Sequence, residues 1–296
     1  MTDTIPFRKM NGLGNDFVII DSRKQSVGLS SVVAAAIADR ATGVGCDQII
    51  VLEHADLADV RMRIFNADGS EVAACGNATR CVATLIEPVS QRRVSIETQG
   101  GILRAELRPD GLVSVDMGTP RFAWQDIPLS EPVADTRAID LTHALPDGRI
   151  LERPSIVNVG NPHCIFWVGE ADSYNLGAFG PVLEHHRLFP ARANISLAEI
   201  VSHSAIKLRV WERGAGLTRA CGTAACATAV AAARTGRTGR IVDVELPGGI
   251  LHIAWRAEDD HIVMTGPSAF EFAGVLHIGA DGGRVRFERS AVETGV

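Results

Sequence analysis

Short apolar or alternating runs dominate the chain, and helical periodicity is confined to a few stretches. Runs at 17–21, 48–53, 60–66, 93–98, 102–107 and 112–117 carry β-branched and apolar residues over five to seven positions and predict strands. A helix is expected at 30–38, capped by Ser30 or Ser31. Two more are expected directly after Ala-Cys-Gly tripeptides, at 77–86 and at 223–234, the latter alanine-rich and stopped by Gly236. Strands outnumber helices and are joined mostly by turns. The expected class is therefore α+β with antiparallel or mixed sheets rather than a doubly wound sheet.

The pattern repeats. Gly14-Asn15 and Gly160-Asn161 lie 146 residues apart (161 − 15), each followed by an apolar run. Arg63-Ile-Phe-Asn66 and Arg209-Val-Trp-Glu212 keep that offset, as do Ala74-Cys75-Gly76 and Ala220-Cys221-Gly222. Gly100-Gly-Ile-Leu103 recurs as Gly248-Gly-Ile-Leu251, two residues out of step, and Gly118 pairs with Gly266 likewise. Ordered matches at one offset indicate two homologous halves. The expected halves are 1–120 and 121–266, with 121–146 as crossover, 267–278 able to return to the first half, and 279–296 a dispensable tail.

Composition narrows the chemistry. With 296 residues, 46% hydrophobic and 22% charged, the chain is an ordinary globular protein of one large or two smaller domains. A net charge of −6 argues against a nucleic-acid partner. The N-terminus lacks a secretory apolar region and no run approaches a membrane span, so no membrane partner and a cytoplasmic address are expected. Six cysteines in a reduced chain this long are not a disulfide framework.

Common cofactor signatures fail. Gly12-Leu-Gly14 lacks the third glycine of a dinucleotide fingerprint and precedes a strand where a helix is required. There is no P-loop. A pyridoxal enzyme needs a Schiff-base lysine, and none of Lys9, Lys24 and Lys207 is in a compelling setting. Cys81 and Cys226 follow Cys75 and Cys221 at spacings that do not match zinc pairs, and they read as core residues, as do Cys46 and Cys164. No metal and no cofactor are expected.

Cys75 and Cys221 stand apart. Each sits where a strand and turn give way to a helix, where first-turn N–H groups and the dipole favour a thiolate. Those N–H groups can also seat a carboxylate. Two such sites related by the repeat would face each other, leaving the α-carbon of a bound amino acid between two sulfurs. A packing role is the commoner fate of one cysteine, but not of two at equivalent stations. Asn15, Asn66, Asn161, Glu212 and Arg213 occupy matched stations around the thiols and are drawn toward ligand contact by that repetition. His163 is open between a helper near a thiol and a satisfied core histidine. Two thiols flanking one α-carbon suit a two-base inversion, one sulfur charged and one neutral.

The segments Lys9-Met-Asn-Gly-Leu-Gly-Asn-Asp-Phe17, Gly45-Cys-Asp-Gln48, Asn66-Ala-Asp-Gly-Ser-Glu71, Ala74-Cys-Gly-Asn77, Gly160-Asn-Pro-His163, Glu212-Arg-Gly-Ala-Gly216 and Ala220-Cys-Gly-Thr223 closely resemble those of the diaminopimelate epimerases. The resemblance spans nearly the whole chain. It implies a cofactor-independent isomerase interconverting LL- and meso-2,6-diaminopimelate in lysine and peptidoglycan biosynthesis, and a homodimer. It implies two homologous, mixed α/β barrel-like domains, each a largely antiparallel sheet wrapped on a central helix. Cys75 and Cys221 carry over as the bases, and Asn15, Gln48, Asn66, Asn161, Asn194, Glu212 and Arg213 as substrate contacts. Gly76, Asn77, Gly222 and Thr223 carry over as the carboxylate cradle, and His163 as a helper. Relatives often have glycine where Ala78 stands, a change that leaves the backbone donors open. The rivals are a proline or hydroxyproline racemase and a non-catalytic thiol or metal-binding protein.

Overall fold

The computed structural model describes residues 3–25, 27–72, 75–86, 92–279 and 285–290. Ala74 of the first Ala-Cys-Gly lies outside them. The chain divides into two compact units, Met1–Val115 with Gly266–Val296, and Asp116–Thr265.

In the first unit the strands lie in the order Val285–Arg289, Ala269–Ile278, Asp3–Gly12, Asn15–Asp21, Gln48–Glu53, Val60–Asn66, Arg93–Thr98, Gly101–Leu107. Pairing is antiparallel except at Asn15–Asp21 with Gln48–Glu53 and at Val60–Asn66 with Arg93–Thr98. Both faces of the sheet are covered, which explains the continuous apolar runs in its central strands. One face carries helix α1 (Ser31–Ala38), whose first turn is capped by Ser30 Oγ accepting from Val33 N at 3.3 Å. Val33, Ala34 and Ile37 of α1 pack on Val18, Ile20, Ile49 and Val51.

The other face wraps helix α2 (Gly76–Ala83), which touches Asp3–Gly12, Asn15–Asp21, Arg93–Thr98 and Gly101–Leu107. All eight of its residues are buried, Arg80 included. Burying a guanidinium requires partners: Arg80 Nε donates to Pro267 O at 3.1 Å and its terminal nitrogen to Asn77 Oδ1 at 3.0 Å. The helix expected at 77–86 thus begins one residue early and ends three early, because Thr84 Oγ1 turns back to Cys81 O at 2.8 Å. Within the segment expected to be a tail, Val285–Arg289 is a strand paired antiparallel to Ala269–Ile278. Phe287 there meets Phe7 edge to face.

The second unit repeats this internal plan. Its strands run Ser155–Asn158, Pro162–Trp167, Asn194–Ser202, Ala205–Glu212, Ile241–Leu246, Gly249–Trp255, Ile262–Gly266. Counted from Asp3–Gly12 in the first unit and from Ser155–Asn158 in the second, the parallel pairs fall at the second and fourth junctions in both. Sheet-order identity over six strands is the structural form of the sequence repeat. The inner helix α4 (Gly222–Arg234) is touched by six of these strands. Its alanines present no bulk, so the sheet closes around it tightly.

A fourth helix, α3 (Leu176–Glu184), covers the outer face and is absent from the sequence reading. Gly177, Gly180 and Pro181 within nine residues hide it from propensity. Leu176, Phe179 and Leu183 nonetheless fall on one face and pack with Ile195 and Leu197. Along Ala205–Glu212 the side chains alternate, with Ile206, Leu208 and Val210 buried and Lys207 on the opposite side. Cys46, Cys81, Cys164 and Cys226 are buried, as most free cysteines are.

Candidate active site

The strand register gathers the first unit's candidates. Phe17 pairs in parallel with Gln48, and Gln48 pairs with Asn66, so Asn15, Gln48 and Asn66 come from the same end of three adjacent strands. Cys75 is the N-cap of α2 in an extended conformation, φ −147° and ψ 110°, and its sulfur accepts from Ala78 N at 3.5 Å. Asn15 Oδ1 lies 3.9 Å from Cys75 Sγ and accepts from Asn77 Nδ2 at 3.5 Å. Gln48 Nε2 donates to Asn66 Oδ1 at 3.0 Å, and Asn66 Nδ2 to Ser70 Oγ at 3.1 Å. Cys75 is half-buried, whereas the other five free thiols are fully buried.

Beneath Asn15 lies an ionic network that the sequence reading did not single out. Asp47 Oδ2 accepts from Asn15 Nδ2 at 2.9 Å and from Asp16 N at 3.0 Å. Asp16 pairs with buried Lys9 at 2.6 Å and with Arg40 at 2.9 Å. Burial would raise the Asp16 carboxyl, but the Arg40 and Lys9 contacts overcome it and hold it well below the usual carboxylate range. The signal available in sequence was the pair of acidic residues beside Asn15 and Gln48, in Asn-Asp and Cys-Asp-Gln.

The second unit builds the matching group. Cys221 is the N-cap of α4, φ −130° and ψ 109°, and is 4% exposed. Its sulfur lies 3.5 Å from Thr223 Oγ1. Burial pushes the Cys221 thiol well above its ordinary value, and the neighbouring Glu212 carboxylate adds to that. Glu212 Oε1 accepts from Thr218 Oγ1 at 2.5 Å. His163 pairs in parallel with Asn194 as Phe17 does with Gln48, which makes Gln48 and Asn194 equivalent stations. Asn194 Nδ2 donates to Pro162 O at 3.0 Å, and its Oδ1 accepts from Arg213 N at 2.9 Å. Arg213 itself is exposed, with its guanidinium on Ala191 O at 3.0 Å.

His163 is fully buried, and burial, with Arg213 nearby, pushes its pKa down to about 3. The imidazole is therefore neutral at pH 7. Its Nε2 stands 2.8 Å from Asn161 Oδ1, an acceptor, so the proton is on Nε2. The neutral imidazole thus hydrogen-bonds the Asn161 amide. Gly76 and Asn77, like Gly222 and Thr223, sit in the first turn of their helices. N–H groups in that turn have no acceptor within the helix and lie at the positive end of its dipole.

A cavity of about 580 Å³ in the second unit is lined by Arg137, Arg153, Arg234, Arg237 and Trp167. It adjoins the C-terminal end of α4, roughly 20 Å along the helix from Cys221, and shares no residue with the site. Among the described residues no three His, Cys, Asp or Glu side chains gather as metal ligands.

The chain is similar to known proteins over most of its length. The sequence model of the family "Diaminopimelate epimerase" matches residues 7–123 and again 155–271. A diaminopimelate epimerase of Rhodopseudomonas palustris is 51% identical over 272 residues, covering 90% of this chain and 92% of that protein. One from Brucella canis is 50% identical over 280 residues, covering 93% and 92%. Among solved structures, a hydroxyproline epimerase from Agrobacterium vitis superposes with a TM-score of 0.66 at 14% identity, covering 95% of this chain and 94% of its own. At that identity the likeness speaks to fold alone. Two matches to one family model, and relatives half identical over nine-tenths of the chain, establish that this chain belongs to the diaminopimelate epimerase family.

Proposed function

We propose that the chain is a cofactor-independent amino-acid epimerase interconverting LL- and meso-2,6-diaminopimelate, with Cys75 and Cys221 as its two proton carriers. The observation that carries the proposal is a cysteine at the N-cap of the inner helix of each unit, at one topological station. In one direction the Cys75 thiolate takes the α-proton, and the Cys221 thiol gives its proton to the opposite face of the carbon. Cys75 ends neutral and Cys221 ends as thiolate, so the reverse reaction exchanges the roles. The buried, Glu212-flanked Cys221 suits the resting acid.

The carbanion needs stabilisation at its carboxylate. The first-turn amides Gly76, Asn77, Gly222 and Thr223 supply fixed dipoles for it. Asn15, Gln48, Asn66, Asn161 and Asn194 offer amides for the ammonium and carboxylate groups. Arg213 is suited to a carboxylate and Glu212 to an ammonium group, as the substrate's two head groups require. His163 acts through Asn161. A homodimer and a cytoplasmic address belong to the same reading, supported by the family resemblance; light scattering of purified protein tests the first and fractionation of the producing cells the second.

The decisive experiment is incubation with LL-diaminopimelate in deuterated water. The reading requires meso product carrying deuterium at the single inverted α-carbon. Unlabelled product, or turnover of proline in place of diaminopimelate, would refute it.

A further inference from the structure

Glu184 closes α3, and its side chain is 4% exposed. An acidic residue in the last turn opposes the helix dipole, so helix stability does not explain it. Its contacts do. Glu184 Oε2 accepts from Trp211 Nε1 at 2.7 Å, and Oε1 accepts from Gly214 N at 3.0 Å. Arg192 completes the set at 3.4 Å. Trp211 and Gly214 are the residues on either side of Glu212-Arg213.

The turn between them is tight: Ala215 N donates to Glu212 O at 3.1 Å, and Gly214 takes φ +77°. Within it, Arg213 N is held by Asn194 Oδ1 at 2.9 Å. One buried carboxylate thus fixes both shoulders of the turn, while Asn194 fixes its middle. Glu184 also binds the segment that receives Arg213, since its backbone oxygen accepts from Ala193 N at 3.4 Å and Arg213 rests on Ala191 O.

We infer that Glu184 is a positioning residue that presents Glu212 and Arg213 to the substrate by clamping Trp211 and Gly214. The inference rests on the proposed function for its substrate, but the clamp itself can be measured without one. A carboxylate can accept from both shoulders at once. In Glu184→Gln one oxygen becomes a donor, so one of the two shoulders must be released.

The test has two arms. By hydrogen–deuterium exchange, peptides covering 212–217 should exchange at least about tenfold faster in Glu184→Gln, while α4 stays protected. Unchanged exchange at 212–217 overturns the clamp whatever the substrate proves to be. In kinetics on diaminopimelate, Glu184→Gln should raise KM about tenfold and change kcat less than about threefold. In an Arg213→Ala background the same substitution should add less than about twofold. Full multiplication of the two effects would make Glu184 a general structural residue and overturn the positioning role. Should Glu184→Gln fail to fold, Trp211→Phe removes one donor alone and should give a smaller KM effect, again absorbed by Arg213→Ala. If wild type does not epimerise diaminopimelate, the proposed function fails while the exchange arm still decides the clamp.

Discussion

Gly180→Ala in α3 sets two effects of opposite sign against each other. In an exposed helix the change would stabilise by about 1 kcal/mol, since alanine loses less backbone entropy than glycine. Here the new Cβ would lie 2.6 Å from both Cγ and Cδ2 of Trp211 and 3.0 Å from its Cβ. That is about 1 Å inside ordinary carbon contact. Trp211 cannot swing aside freely, because Glu184 holds its indole and the α3 core packs on its ring. Overpacking costs about 1–3 kcal/mol, and two 2.6 Å contacts on a pinned ring place this case at about 2–3 kcal/mol, so the clash outweighs the propensity gain and a net loss of about 1–2 kcal/mol is expected. For a unit near 150 residues the melting transition should fall by roughly 3–6 °C. Gly177→Ala is the control: its Cβ would meet only the flexible Leu217 Cδ1 at 3.2 Å and Asn175 Oδ1 at 3.6 Å. It should leave stability unchanged or raise it by up to about 1 kcal/mol. Thermal melts followed by circular dichroism read both. A Gly180→Ala protein that melts at or above wild type would refute the argument that Trp211 is pinned.

Cys75→Ala and Cys221→Ala should each lower epimerisation at least about a thousandfold, as loss of a required acid or base can, while each retains washout of the α-proton from one stereoisomer. Full turnover in either variant removes that sulfur from the mechanism. Arg213→Lys keeps the charge but loses the planar fork, so KM for diaminopimelate should rise about tenfold with kcat nearly intact; unchanged constants would return Arg213 to solvent. Because His163 is held near 3 in the folded protein and titrates near 6.5 unfolded, the unfolded chain binds the extra proton first as pH falls. Its burial therefore makes stability decline between about pH 6.5 and 3, by at most about 1.4 kcal/mol per pH unit. Urea titrations of His163→Gln should show a shallower acid slope than wild type, and an equal slope would argue against a buried neutral imidazole.

The most legible features in sequence were local and repeated ones. Strands at Gln48–Glu53, Val60–Asn66 and Arg93–Thr98 coincide with their apolar patterns, and both inner helices start beside their cysteines. The thiols, asparagines and Glu212-Arg213 were visible because duplication set them at one spacing, a signal that no single residue carries. The α+β class likewise followed from strands that outnumber the helices and are joined mostly by turns.

Tertiary structure decided what depends on partners distant in the chain. Helix α3 contradicts the propensity of its glycines and proline, because burial of Leu176, Phe179 and Leu183 outweighs it. The strand at Val285–Arg289 forms on an edge supplied by residues 269–278 and could not be read locally. Protonation states belong here as well. His163 is neutral and Cys221 a thiol because the folded chain removes water from both and sets charges beside them. Duplication in the sequence shows which groups recur; the environment that keeps the Cys221 thiol protonated, or sets Glu184 against both Trp211 and Gly214, exists only once distant strands and helices exclude solvent around it.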